Sequence, residues 1–586
     1  MQNRLNTTSN LEKILIHKNK IIFILVSIFS IQSLYFVIKY KINFPYSMDY
    51  LGTSYLFDYL QGGKFPLEQL MSPHSGHYLI FPRLIALPNL LFNSFDVGNF
   101  FILQWILFSL TLFVIYLLLK KTDKKLIWLL IPISAFIYSP LPSSNYWAFA
   151  ILMWLIPPLC VMSVIYLVDK PKMHVKIFAG AISLALISTF SSIIGIIVWL
   201  PGLILLIKRD KAKRWIGKKW LFVWICATVF TGFTYYSSVP HDEIETSSGL
   251  LLTPDGYSFI ATFAAVAFRL KYDILMDLVG TFTIILSAFC LYYFIKNKGV
   301  SRTLPWFVFI LVGFAGGIIT ALGRIHLEFH PGNEPYYIPM SHFIQIGLIV
   351  LLSLIIIDVR KNHYQNKKLI TGSLLSIVIV LSILLIPSYY AGWNRGEYYF
   401  EEKLDYINCF TLSASIKCNE DTLQENVNYK ILNFYLENNL SIFKEENFNK
   451  QNKDDINEFN IIQKSSDEIL TSQGKIEKIN EINVEEGKKI TIFDSMIIIY
   501  GWMSSDKGEM LDSVYLLVDS KPFLKYSEFY SNIQTEEISS SVKSGIKISF
   551  LSGYLEKGCH EISLIGVKDK QLFSTNKIYQ LCNEEI

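Results

Sequence analysis

Two stretches of this 586-residue chain concentrate the side chains that do chemistry. The first, PYSMDYLGTSYLFDYLQGGKFPLEQLMSPHSGHYLIFPRL, carries Asp49, the pair His74 and His77, and Arg83. The second, GRIHLEFHPGNEPYYIPMSH, carries Arg324, His326, His330 and Tyr336. A carboxylate such as Asp49 can take a proton from an attacking hydroxyl; its bland alternatives are to end a helix or to pair with a lysine. Arginine's planar fork suits phosphate, which makes Arg324 and Arg83 candidates to hold one. Arg83 has an equal alternative, reaching up to lipid headgroups. His74 and His77 are spaced i, i+3, not the i, i+4 of a helical metal pair, although i, i+3 neighbours on a helix can meet. Metal binding, contact with substrate or phosphate, and a structural role all stay open for them. His326, His330 and Tyr336 stand as substrate contacts with the same structural alternative.

These residues sit among apolar runs. Hydrophobic residues make up 52% of the chain, aromatics 15% and charged residues only 17%, and the mean hydropathy is +0.36. That balance excludes an ordinary soluble protein of this length and fits a polytopic membrane protein. Eleven runs are long enough to span as helices, near 21–38, 99–119, 126–142, 149–168, 175–190, 192–207, 219–236, 273–295, 303–322, 338–358 and 368–388. Only STFSS marks the break between the fifth and sixth. The first run reads as a retained anchor rather than a cleaved signal, because no small-x-small site follows it.

The net charge of +4 hides an asymmetry. Residues 1–400 hold 33 Lys and Arg against 18 Asp and Glu, and the remainder holds 20 against 31. The basic residues fall in short clusters between apolar runs, such as KKTDKK and KRDKAKRWIGKK, so they do not suggest nucleic-acid binding. With eleven spans every cluster lands on one side. The positive-inside rule then puts the N-terminus in the cytoplasm and everything after residue 390 outside. Of the 10 histidines, seven fall on the outer side or at its boundary. The expected outer loops are 39–98, 237–272 and 323–337, the second with His241, Asp242, Glu243, Asp255, Arg269 and Lys271.

Residues 391–472 read as helix and polar linker. From 473 to 586 short alternating runs separated by Gly, Ser, Asp and Lys predict an extracytoplasmic β-sandwich. Trp502, on one of these runs, reads as core rather than as a sugar-stacking residue. Cys160, Cys226 and Cys290 lie within spans as apolar packing residues. Four outer cysteines allow two disulfides, most simply Cys409–Cys418 and Cys559–Cys582.

The spans hold almost no ionisable residues, which removes the usual basis for an ion-coupled carrier. No phosphate-binding glycine loop, HExxH or GxSxG is present, which leaves nucleotide binding and ordinary hydrolysis without support. An acidic residue just past the first span, then HSGHYLIFPRL, then GRIHLEF…EPYYIP, resembles the GT-C superfamily of integral membrane glycosyltransferases, in a bacterial branch. The resemblance covers residues 20–390. Asp49 is followed by Tyr50 where many members have a second acid, and EPYY has proline where arginine is common.

The resemblance implies transfer of a sugar, such as a hexose, from a polyprenyl-phosphate donor to a cell-surface glycan acceptor. The reaction would take place on the outer face of the bacterial inner membrane. Asp49 would be the base of an inverting displacement. Arg324, supported by Arg83, would hold the donor phosphate, with His74, His77, His326, His330 and Tyr336 at the substrate. No resident metal is assigned, and a divalent cation stays open. The rivals are an envelope polysaccharide polymerase or ligase, and a non-enzymatic flippase or glycan-binding scaffold.

Overall fold

The structure is a computed structural model. It describes the chain apart from residues 1, 45–48, 50–51, 57–58, 60–62, 75, 144–147, 213–215, 239–248, 298–299, 326–331, 362–366, 412–439, 441–458, 464–468, 481, 493–495, 527–543, 552–554, 556 and 584–586. The chain divides into two compact units. One comprises Met1–Lys41, Phe65–Leu87 and Gly98–Tyr399; the other comprises Ile42–Lys64, Pro88–Val97 and Phe400–Ile586. The expected loop 39–98 is thus shared between the units. It also contains regular structure of its own, including the helices Leu67–Met71 and Ile80–Asn93.

The first unit is helical, the form in which long apolar runs satisfy their backbone groups internally, as hydrocarbon would require. Among the described residues eight helices are long and apolar enough to cross a membrane. They are Lys20–Tyr40, Gly98–Thr122, Lys124–Ser143, Lys218–Ser237, Asp273–Lys296, Thr303–Arg324, Pro335–Arg360 and Thr371–Phe400. The other three predicted runs form shorter helices, Leu152–Val168, Val175–Thr189 and Ile193–Lys208. The arrangement is compatible with a multi-pass membrane protein. Pro335–Arg360 is the central helix, 89% buried over its most apolar stretch, whereas Lys218–Ser237 is 22% buried. Phe23, Phe230 and Ile274 on the outer helices are more than 70% exposed, a surface that suits lipid rather than water.

Local signals set the helix ends. Asp123 accepts from the Lys125 amide at 2.9 Å to start the turn Lys124–Leu129. Thr253 precedes Pro254 and caps Pro254–Ala265 through the Gly256 amide. Small residues let helices touch: a Cβ on Gly280 would lie 1.8 Å from the Ala261 carbonyl oxygen.

In the second unit, residues 42–64 and 88–97 bury Phe44, Leu56, Phe95 and Val97 completely. The Val97 amide donates to Asn43 Oδ1 at 2.8 Å, and Asn89 Nδ2 donates to the Asp96 carbonyl at 2.8 Å. The C-terminal part is β-rich. One sheet orders the strands Ser544–Leu551, Met496–Ser504, Gln473–Ile479 and Ile482–Asn483. The other centres on Gly558–Lys568, which pairs with Tyr579–Asn583, Gln571–Ser574 and Ser513–Val518. Alternating residues of both sheets, including Ile499, Ile546, Leu516 and Leu564, form one core. Two-residue turns at Asp519–Ser520 and Asp569–Lys570 have both residues at positive φ, the geometry that matches the twist of a hairpin. Trp502 is buried, and Cys559 and Cys582 face each other across the Gly558–Lys568 ladder and form a disulfide. The Cys409–Cys418 pairing lies outside the described residues.

Candidate functional site

His74 and His77 meet, but not on a helix. Gly76, at φ +73°, lets the chain reverse between Pro73–His74 and His77–Tyr78, and His74 pairs directly with His77 across this hairpin. Directly opposed strand residues bring their Cβ atoms to about 5 Å. The Tyr235 hydroxyl donates to the Gly76 carbonyl at 2.8 Å and pins the tip. Tyr78 packs edge-on against both Phe190 and Tyr235.

Arg83 serves this hairpin rather than lying open. Its Nη1 donates to the carbonyls of Gln69, Leu70 and Ser72 at 3.0, 3.1 and 2.9 Å, and its side chain is 4% exposed. A cation on the last carbonyls of the short helix Leu67–Met71 satisfies groups that a helix end leaves unpaired. We read Arg83 as a positioning residue.

His77 is buried against the break between Val175–Thr189 and Ile193–Val198. Its Nδ1 accepts from the Ile193 amide at 3.3 Å and lies 3.4 Å from Ser192 Oγ. The break is the STFSS segment, whose Ser188, Thr189, Ser191 and Ser192 are all 0% exposed. Each hydroxyl has work within the fold. Ser188 Oγ donates to the Gly195 carbonyl, and Thr189 Oγ1 donates to the Ala185 carbonyl while accepting from Trp199 Nε1. Burial, then the charge of Arg324, then His74 push the His77 pKa down from 6.5 to about 4. His77 is therefore neutral near pH 7. With Nδ1 accepting an amide hydrogen, its proton sits on Nε2, which becomes a donor.

This pKa makes a prediction. Between pH 6.5 and about 4 the unfolded chain binds a proton that folded His77 refuses. The His77 contribution to stability is thus fully present above pH 6.5 and is lost as the pH falls through that window. Unfolding of the solubilised protein is expected to show a slope approaching ~1.4 kcal/mol per pH unit that His77→Gln lacks. Identical pH profiles for the two proteins would refute this.

Arg324 ends the helix Val300–Arg324, and its charge reaches His77, Tyr336 and Tyr337. Tyr336 and Tyr337 form the turn Pro335–Tyr337 that opens the next long helix. Between these groups lies Trp154, 5% exposed, at ring distances of 5.1 Å from Tyr336, 5.4 Å from Tyr337 and 6.4 Å from His77. Its indole Nε1 has no hydrogen-bond partner among the described residues. The site thus gathers a guanidinium with an indole N–H, a neutral imidazole N–H and a tyrosine hydroxyl. Glu334 is the nearby carboxylate. Such a donor-rich arrangement can hold an anion, phosphate above all.

Of the residues singled out in the sequence, Arg324, His74, His77 and Tyr336 come together. Asp49 belongs to the second unit, where it is wholly buried. His326 and His330 lie outside the described residues. No group of three or more His, Cys, Asp or Glu side chains able to hold a metal occurs among the described residues. Trp154, and the role of the Ser192–Ile193 break in holding His77, escape sequence reading because both look like ordinary parts of apolar runs. The signal was the cluster of hydroxyls in STFSS, polar groups that hydrocarbon does not tolerate without partners. No family model, curated protein or solved structure matches this chain.

Proposed function

We propose that the chain is a membrane glycosyltransferase of GT-C type, moving a sugar from a polyprenyl-phosphate donor to a cell-surface glycan. The supporting observation is that the charge of Arg324, at a helix end, reaches His77, Tyr336 and Tyr337, while Trp154, whose indole N–H has no partner among the described residues, packs against those three rings; the combination suits a lipid phosphate. In this reading the shorter apolar helices complete eleven spans. The N-terminus is cytoplasmic in the bacterial inner membrane, and the β-rich part is an extracytoplasmic sandwich.

The acceptor hydroxyl attacks the anomeric carbon as the bond to the phosphate oxygen breaks, and the electron pair leaves with the phosphate. The hydroxyl proton passes to a carboxylate, for which Asp49 is the proposed base on the strength of its place after the first span. Direct displacement inverts the anomeric centre.

The test is transfer by full-length protein in lipid nanodiscs, supplied with a polyprenyl-phosphate hexose and envelope glycan. Release of polyprenyl phosphate is expected, and Asp49→Asn should abolish it while the protein still inserts. Wild-type turnover by Asp49→Asn removes Asp49 from the reaction. Absence of turnover with every hexose donor removes the assignment itself. Long glycan chains as product would favour a polymerase instead.

A further inference from the structure

A cavity lies inside the first unit where the helices Gly98–Thr122, Lys124–Ser143, Leu152–Val168 and Pro335–Arg360 come together. Thr111, Ile137, Leu155, Pro158, Met162 and His342 are among its walls, and all six are buried. It has room for a water molecule.

Three polar groups meet this space. His342 is 4% exposed, and its Nε2 has no hydrogen-bond partner among the described residues. Its ring packs edge-on against Phe136 at 6.0 Å, a contact that offers no hydrogen bond. Thr111 Oγ1 donates to the Leu107 carbonyl at 2.8 Å, which leaves the hydroxyl oxygen able to accept. The third group follows from the sequence. Pro157 and Pro158 stand side by side within the helix Leu152–Val168, and neither has an amide hydrogen. A helical carbonyl takes its bond from the residue four or three places on, and for Trp154 those residues are Pro158 and Pro157. The ring of a helical proline stands against the carbonyl four residues back, and the Pro158 ring is also a wall of the cavity. In hydrocarbon such freed groups need a replacement partner, and ordered water is one that proline-broken helices use.

We propose that this cavity binds a water molecule that joins His342 Nε2 to the Trp154 carbonyl and the Thr111 hydroxyl, and so holds the turn that presents the Trp154 indole. Three partners are typical of a buried water. Water both donates and accepts, so it suits either tautomer of His342. Trp154 is the residue whose ring packs against Tyr336, Tyr337 and His77, and fixing its backbone fixes where that ring starts. His342 is thereby a positioning residue that touches no substrate itself. Its effect on phosphate rests on the proposed function, in which the indole N–H meets the donor.

The test is hydroxyl-radical footprinting of full-length protein in lipid nanodiscs and oxygen-18 water, followed by titration with farnesyl phosphate. Met162 is expected to take up label faster than Met276, which is equally buried and stands apart from the cavity walls. His342→Leu should bring Met162 down to the level of Met276, and His342→Gln, whose amide can also hold water, should not. Thr111→Val, close in shape, serves if His342→Leu fails to insert. Farnesyl phosphate binding should weaken about five- to tenfold in His342→Leu, the effect of losing one hydrogen bond, and recover in His342→Gln. Met162 labelled no faster than Met276 in the wild type overturns the water site. Equal labelling of wild type, His342→Leu and Thr111→Val overturns the assignment of its partners. Label lost in His342→Leu with farnesyl phosphate binding unchanged overturns the positioning role. A wild type that labels at Met162 but binds no farnesyl phosphate supports the water site and removes the transferase reading alone.

Discussion

Arg324→Gln is expected to lower the proposed sugar transfer by about 10²- to 10³-fold, the usual effect of deleting one preorganised group that meets developing charge. In the proposed reaction the leaving phosphate would gain negative charge as the sugar departs, so a cation beside it would act mainly in the transition state. The neighbours of Arg324 make it hard to replace. His77 is neutral, and Trp154 and Tyr336 contribute only dipoles, so the guanidinium is the full positive charge among them. Arg324→Lys keeps the charge without the fork and is expected to fall between glutamine and wild type. The loss should appear chiefly in kcat, with the unfolding temperature little changed, because Arg324 is only half-buried at a helix end. A wild-type kcat in Arg324→Gln would place the leaving phosphate elsewhere.

Gly195→Ala is expected to destabilise the first unit by about 3 kcal/mol or more, at or beyond the upper end of ordinary overpacking. A Cβ at Gly195 would stand 1.9 Å from the Ser188 carbonyl oxygen and 2.4 Å from its carbon. Both are backbone atoms at the end of a packed helix and cannot swing aside. Ser188 Oγ also bonds the Gly195 carbonyl at 2.9 Å, so the two segments have no spare distance. Between them run Ser192 and the Ile193 amide that hold His77. The substitution should therefore lower the unfolding temperature and the yield of inserted protein, and reduce transfer in the fraction that does fold. Gly180→Ala is the control, since its added carbon meets only the Leu167 side chain at 3.8 Å. Equal unfolding temperatures for the two variants would show that the STFSS break tolerates rearrangement.

Much of the architecture could be read before any coordinates. Each apolar run forms a helix because the requirement is local: a backbone in hydrocarbon satisfies its own hydrogen bonds within a few residues. The alternating runs after residue 473 became strands for a similar reason, one side chain in two facing the core that Ile499 and Leu564 occupy. Cys559 and Cys582 paired because hairpin-like ladders bring nearby cysteines opposite each other.

The candidate site divides differently. The types of side chain it uses were visible, and Arg324, His77 and Tyr336 were singled out for their chemistry. Which of them meet depended on packing between distant segments. His74 and His77 met through a hairpin turn at Gly76 rather than a helical turn. The guanidinium Nη1 of Arg83 was taken up by three carbonyls close by in the chain. Trp154 joined the site from a helix that looked like plain lipid-spanning sequence.

The sequence by itself determined that this chain makes apolar helices and a β-rich part, and which side chains are chemically capable. Hydrophobic period and backbone hydrogen bonding are short-range and recorded residue by residue. Only the tertiary structure decided that Arg324, Trp154, His77 and Tyr336 share one place and that Asp49 belongs to another unit. Such meetings are set by close packing between segments far apart in the chain, for which a single sequence carries no local signal.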